Sequence, residues 1–282
     1  MITIYFGDNL SVLSKLSDSS VALIYIDPPF NTGKIRSYQR IKTVKDDKHG
    51  DRAGFSGKRY RTIKIGSKFY SDVFDDYLLF LEPRLCEAKR ILKEDGSLFF
   101  HIDYREAHYC KILLDHIFGR ESFMNEIIWA YDYGGRSRRK WPSKHDNILW
   151  YAKNPKNYCF NLQECDRIPY MAPSLVGKEK AARGKFPTDT WWHTVVSTNG
   201  KERTGYPTQK PLAIISRIVR VHSRKGDLLC DFFAGSGTLG IAAHQSGRDC
   251  ILVDNNPQAI SVMKKRFVNL PTKWIDCSEK TK

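Results

Sequence analysis

Apolar residues in this chain fall into two patterns, short continuous runs and stripes at helical spacing. Ile2–Phe6 and Val21–Ile26 (VALIYI) are continuous runs, as expected of strands buried on both faces. Between them, residues 9–16 place Leu10, Leu13 and Leu16 on one helical face. Leu78, Leu81, Leu85, Ala88 and Leu92 form a second stripe, which predicts a helix over 75–92, kinked at Pro83. A strand over 97–102, a helix over 106–118 and strands over 123–131 and 147–152 follow. The rhythm then resumes with a helix over 209–222, a strand over 228–232, a helix over 238–247, a strand over 250–253 and a helix over 257–268. Strands alternating with helices predict an α/β fold, a doubly wound and mostly parallel sheet.

Two stretches break the rhythm. Residues 34–68 hold 12 Lys and Arg against three Asp, with four glycines, and read as a mobile basic loop without secondary structure. Residues 153–206 are frequent in Pro, Gly and charge, and read as an insertion between an N-terminal part, 1–152, and a C-terminal part, 207–282.

Charge narrows the function. The net charge of +15 in 282 residues points to a polyanionic partner, nucleic acid before any other. No apolar run reaches the roughly 18 residues of a membrane span, and the first ten residues do not read as a signal peptide. The seven cysteines contain no CxxC pair, which argues against a disulfide framework or a zinc ribbon and for a reduced, cytoplasmic protein. No cluster of His, Cys and carboxylates has metal-ligand spacing, so no metal is expected.

Leu228–Gly240 (LLCDFFAGSGTLG) is a strand, a glycine turn and a helix start. Such a turn lets a cofactor approach the backbone and aims a helix N-terminus at it. Gly235, Gly237 and Gly240 match G-x-G-x-x-G, which alone fits a dinucleotide as well as S-adenosylmethionine (SAM). Asp231, inside the strand, suits a cationic amino-acid moiety and would repel a pyrophosphate. Asp254 closes the next strand, where a carboxylate can accept from both ribose hydroxyls. Helix or turn capping is the bland role for each.

Asp27-Pro28-Pro29-Phe30 ends the VALIYI run. The prolines cannot continue a ladder and stiffen the backbone. A fixed carboxylate and a Pro carbonyl make an acceptor pair suited to a planar amino group with two N–H donors. Phe30 offers a face for a base taken out of a duplex. A strand-ending turn explains the tetrapeptide equally well when it is taken alone.

DPPF after one buried strand and DFFAGSGT before a helix together resemble the SAM-dependent DNA amino-methyltransferases of restriction–modification systems, which methylate adenine N6 or cytosine N4. The tetrapeptide precedes the glycine loop by some 200 residues, which resembles the β class, with a circularly permuted Rossmann-like fold. The segment 201–219 resembles the block ahead of the loop in that class. The resemblance covers about two thirds of the chain. It implies SAM held by Asp8, Thr208, Lys210, Asp231, Phe233, Gly235, Gly237, Thr238 and Asp254, with Thr208 and Lys210 near the methionine carboxylate and Asp8 on the adenine. It implies the target base on Asp27, Pro28, Pro29 and Phe30, with Phe30 where Tyr is commoner, and target recognition in 153–206.

Double-stranded DNA is the implied partner, gripped by Lys34, Arg36, Arg40, Lys58, Arg59 and Arg61 and by Arg136, Arg138, Arg139 and Lys140 of the 134–144 connector (GGRSRRKWPSK). A cognate restriction endonuclease and a second copy of the chain are further candidate partners. Asp at the first tetrapeptide position favours adenine over cytosine, as an association. The alternatives are an N4-cytosine methyltransferase and, from another class, an NAD-dependent oxidoreductase using the glycine loop. His101, Asp103 and Trp191-Trp192-His193 have no assigned role: the first two end a strand, and the last three read as core of the insertion more readily than as base contacts.

Overall fold

The computed structural model describes the chain except residues 32–33, 47–51, 54–58, 73–75, 198 and 279–282, and describes backbone alone at 34–45, 52–53, 59–60 and 62–72. Contacts divide it into two units, one of residues 1–28 and 78–282, the other of residues 29–77.

The larger unit is built on a nine-stranded sheet. Its strands are β1 (Ile2–Phe6), β2 (Val21–Ile26), β6 (Leu92–Ile102), β7 (Phe123–Ala130), β8 (His145–Ala152), β9 (Thr190–Trp192), β10 (Leu228–Asp231), β11 (Asp249–Asp254) and β12 (Thr272–Asp276). The order is β12-β1-β11-β10-β2-β6-β8-β7-β9. From β12 to β6 every pairing is parallel, β8 runs against both β6 and β7, and β9 is parallel to β7. All strands but β8 therefore point the same way, and their carboxyl ends share one edge.

β2 is buried at all six positions, as its unbroken apolar run requires. The helices are α1 (Asn9–Leu13), α2 (Tyr77–Ile91), α3 (Ala107–Phe118), α4 (Lys178–Arg183), α5 (Leu212–Val221), α6 (Thr238–Gln245) and α7 (Pro257–Arg266). α5 buries Ile214, Ile215, Ile218, Val219 and Val221 on one stripe. Burying each such side chain is worth about 1.5–3 kcal/mol. Asn256 caps α7 by accepting from the Gln258 amide, with Pro257 at the first helical position. Pro83 lies within α2, inside one continuous helix.

The segment 34–68 departs from its sequence reading. β3 (Lys34–Lys45) and β5 (Arg59–Asp72) pair antiparallel along their length, with β4 (Arg52–Ala53) beside β5. β-Branched residues interleave with lysines there, as in Ile41-Lys42-Thr43-Val44 and Thr62-Ile63-Lys64-Ile65. The charge density obscured that alternation. Residues 153–206 lie in the larger unit and carry α4 and β9.

Candidate active site

β10 and β2 are hydrogen-bonded neighbours, so the two motifs some 200 residues apart end side by side at the carboxyl edge. Asp27 follows β2, and Asp231 ends β10. The Asp27 Oδ2 accepts from the Lys210 ammonium at 2.5 Å, and both side chains are largely shielded from solvent. The other oxygen, Oδ1, is buried and has no hydrogen-bond partner among the described residues. An unsatisfied buried acceptor is worth about 1–3 kcal/mol of lost solvation, so it marks a place for an incoming donor.

Asp231 is buried, and its Oδ1 accepts from the Phe233 amide at 2.9 Å. Burial pushes its carboxyl well above the usual range, with Asp27 and Asp254 adding to the rise and Lys210 opposing it. Asp254 accepts from the Gly235 amide through Oδ2 at 2.7 Å and from the Asn256 amide through Oδ1 at 2.8 Å. Burial pushes it up to about 6 against those two bonds. Asp231 thus feels two further carboxylates, Asp27 and Asp254, against the one ammonium of Lys210. That acid excess fits a ligand with positive charge, and SAM carries an ammonium and a sulfonium.

The glycine turn has a second purpose that spacing did not show. Gly237 caps α6 in the left-handed region, φ 74°, and an added Cβ would lie 2.6 Å from the Phe267 ring. A Cβ on Gly240 would lie 2.9 Å from Leu252. Gly237 admits close packing of α6 on the end of α7 and Gly240 on β11, and Gly235, φ 51°, lies against the Tyr206 ring. The buried Thr238 hydroxyl accepts from Arg266 at 3.0 Å, and the same guanidinium donates to the Ser236 carbonyl at 3.0 Å. Arg266 fixes the turn from beneath. Nothing in its local sequence distinguished it.

Asp8 is exposed and caps α1, accepting from the Ser11 amide at 3.0 Å, with Arg84 3.2 Å from its other oxygen. It stands beside Asp254, because β1 and β11 pair Phe6 with Asp254. Arg84 also donates to Asn9 at 2.7 Å and lies over the Phe80 ring, and Asn9 donates to the Phe232 carbonyl at 2.8 Å. Phe233 is partly buried, 6.1 Å from Phe80 between ring centres. The sequence reading missed Asn9, Phe80 and Arg84. Thr208 is exposed. Pro28 belongs with Asp27 in the larger unit, while Pro29 and Phe30 belong to the smaller, where the Tyr77 hydroxyl donates to the Pro29 carbonyl at 2.6 Å.

The unassigned residues sort cleanly. His101 is fully buried; Tyr25 lies 2.7 Å from its Nδ1 and Asp146 3.2 Å from its Nε2, and Tyr131 donates to Asp146 at 3.0 Å. Asp103 is buried and ion-paired to Arg105. Trp191 is buried, its indole donating to the Thr188 carbonyl at 2.8 Å, whereas Trp192 is exposed. Of the expected DNA-contact residues, Arg136, Arg138, Arg139 and Lys140 are exposed, as is Arg61. Lys58 and the side chains of Lys34, Arg36, Arg40 and Arg59 lie outside the described residues.

The DNA methylase family model (N6_N4_Mtase) matches residues 21–265. The type II methyltransferase M.HpaI of Haemophilus parainfluenzae is 30% identical over 258 residues, 92% of this chain and 71% of the relative. The DNA adenine methyltransferase YhdJ of Escherichia coli K12 is 28% identical over 278 residues, 94% of this chain and 82% of the relative. The PvuII cytosine-N4-specific DNA methyltransferase superposes with a TM-score of 0.64 at 15% identity, covering 95% of this chain and 87% of that one, and shows a shared fold. The chain belongs to the DNA methylase family, whose members transfer a methyl group from SAM to an exocyclic amine of a DNA base.

Proposed function

We propose that this chain methylates adenine at N6 in double-stranded DNA, with Asp27 as the acceptor that holds the target amine. The observation that carries the reading is the buried, unpartnered Oδ1 of Asp27 at the carboxyl edge of the sheet. An amine N–H donated to it removes an unsatisfied acceptor, and the Pro28 carbonyl takes the second N–H. Holding both hydrogens draws the nitrogen lone pair out of ring conjugation and toward the methyl group. SAM supplies that methyl on a sulfonium. The amine's surplus proton leaves along its hydrogen bond to Asp27. Phe30 supplies the stacking face.

For SAM, Asp231 suits the ammonium and Asp254 the ribose hydroxyls, with Asp8, Phe233, Gly235, Gly237 and Thr238 around the adenosine end. Thr208 and Lys210 serve the carboxylate end. Lys210 therefore stands between cofactor and Asp27. Adenine is favoured by Asp at the first tetrapeptide position and by the 28% identity to an adenine methyltransferase; both amines offer Asp27 the same two donors. Target recognition is assigned to 153–206, and phosphate contact to the basic residues of 34–61 and 136–140. The reading extends to the bacterial cytoplasm and a cognate endonuclease, supported by the type II class of the bacterial relatives, and to a second copy of the chain, as the resemblance to the β class implies. Nucleoside mass spectrometry of DNA from expressing cells tests the base: 6-methyladenine is expected, and 4-methylcytosine alone overturns the adenine assignment.

A further inference from the structure

Two tryptophans stand in water at the edge of the sheet that carries Asp27. Trp141 is 92% exposed and Trp192 77%. β7 and β9 point the same way as β2, and Ala130, the last residue of β7, pairs with Trp192. The 131–144 connector leaves β7 and enters β8 at this same edge, so Trp141 emerges on the side where Asp27 and Asp231 end their strands. Trp192 is held in a strand. Trp141 rides on a connector that begins with Gly134 and Gly135, around which nothing lies within 4 Å of an added Cβ.

The connector is built to present charge beside that indole. The Ser137 hydroxyl accepts from the amides of Arg139 and Lys140, each at 3.2 Å, which turns the chain just ahead of Trp141. Arg136, Arg138, Arg139 and Lys140 are exposed, against one acid, Asp132, in the same connector. A wide apolar ring ringed by cations matches a partner with phosphates outside and stacked flat faces inside. Chemistry on a base amine requires the base to leave the stack, which opens a gap in the duplex. Side chains that wedge into such steps are apolar and stand on exposed elements.

We propose that Trp141 enters the base stack of duplex DNA at the gap left by the everted target base, while Arg138, Arg139 and Lys140 hold the flanking phosphates. The proposal rests on the DNA-methylation reading and deepens it, because it names the group that keeps the duplex open. Replacing a lost stacking partner with an indole lowers the free energy of the everted state. Its effect on rate therefore shrinks when a mismatch makes eversion easy enough that it no longer limits transfer.

The test uses the full chain and a duplex bearing its methylation site, mapped by sequencing DNA that the wild-type protein has methylated. Trp141→Ala, Trp141→Phe and wild type are assayed on the matched duplex and on one with a mismatch opposite the target base. Trp141→Ala should lower kcat/KM on the matched duplex at least about tenfold, and Trp141→Phe no more than about threefold. The mismatch should bring Trp141→Ala back to within about threefold of wild type, since less unpairing remains to be driven. SAM affinity and the unfolding midpoint should stay at wild-type values, as the side chain is almost wholly in water. Unchanged activity of Trp141→Ala on the matched duplex overturns the proposal. So does an equal loss on both duplexes, which makes Trp141 a groove contact. A changed oligomeric state of Trp141→Ala overturns it in favour of an interface between copies. Absence of methyl transfer by the wild-type protein to any DNA is the separate failure of the underlying reading.

Discussion

Lys210 occupies one oxygen of Asp27 at 2.5 Å and leaves the other buried without a partner. The carbonyl of the same lysine lies 3.4 Å from the Thr238 hydroxyl at the start of α6. One residue thus links the end of β2 to the glycine turn. It holds one oxygen of the Asp27 carboxyl and leaves Oδ1 for the amine of the proposed reaction.

Lys210→Met should therefore damage both halves of the site. Turnover should fall at least about tenfold, and the Kd for SAM should rise because the cation proposed for its carboxylate end is lost. Since the lysine acts on the amine through Asp27, turnover of Lys210→Met combined with Asp27→Ala should match that of Asp27→Ala alone. Additive losses in the double variant would separate the two residues.

Asp254 carries a pH signature. Its folded pKa is raised to about 6. Its contribution to stability is thus present in acid and lost as the pH rises through that value. Ribose hydroxyls donate to the ionised form, so SAM should bind more tightly as the pH rises from about 5 to about 7 and then level off. Asp254→Ala should flatten that dependence and weaken SAM by roughly tenfold or more. Calorimetric titration across the range decides it; an unchanged Kd confines Asp254 to holding the Gly235 and Asn256 amides.

Gly237→Ala should destabilise the fold by about 2–4 kcal/mol, through left-handed strain and a forced shift of Phe267. For a chain of this size that is a fall of roughly 5–15 °C in the unfolding midpoint. Gly135→Ala, with open space around it, should stay within about 0.5 kcal/mol of wild type. Thermal unfolding of the pair separates packing from general sensitivity to the substitution.

The glycine turn, the tetrapeptide and the parallel strands were legible because each is local: a buried strand shows as an unbroken apolar run, and a turn as its glycines. The antiparallel pair of β3 and β5 was hidden, because lysines and arginines between the β-branched residues read as a solvated loop. Contacts between distant residues left no trace in spacing. Lys210 and Asp27 are 183 positions apart, and Tyr25 and His101 are 76. Trp191 and Trp192 looked equivalent in sequence, yet strand pairing at β9 sends one into the core and the other into water.

The exposed cations of the connector should act on affinity without reading sequence. Neutralising Arg136, Arg138 and Arg139 to Gln should reduce the slope of log affinity against log salt by ~0.9 for each phosphate that no longer meets a cation. The methylated sequence should stay the same. A changed sequence preference would move these residues from positioning the duplex to reading it.

In the proposed reaction the Asp27 carboxylate accepts the target amine while SAM sits elsewhere. Single-turnover transfer of labelled methyl from pre-bound SAM to duplex DNA, run beside equilibrium dialysis of SAM, tests it directly. Asp27→Ala should slow transfer roughly 100-fold or more, with a Kd for SAM within about threefold of wild type. Transfer at near wild-type rate in Asp27→Ala would contradict the account.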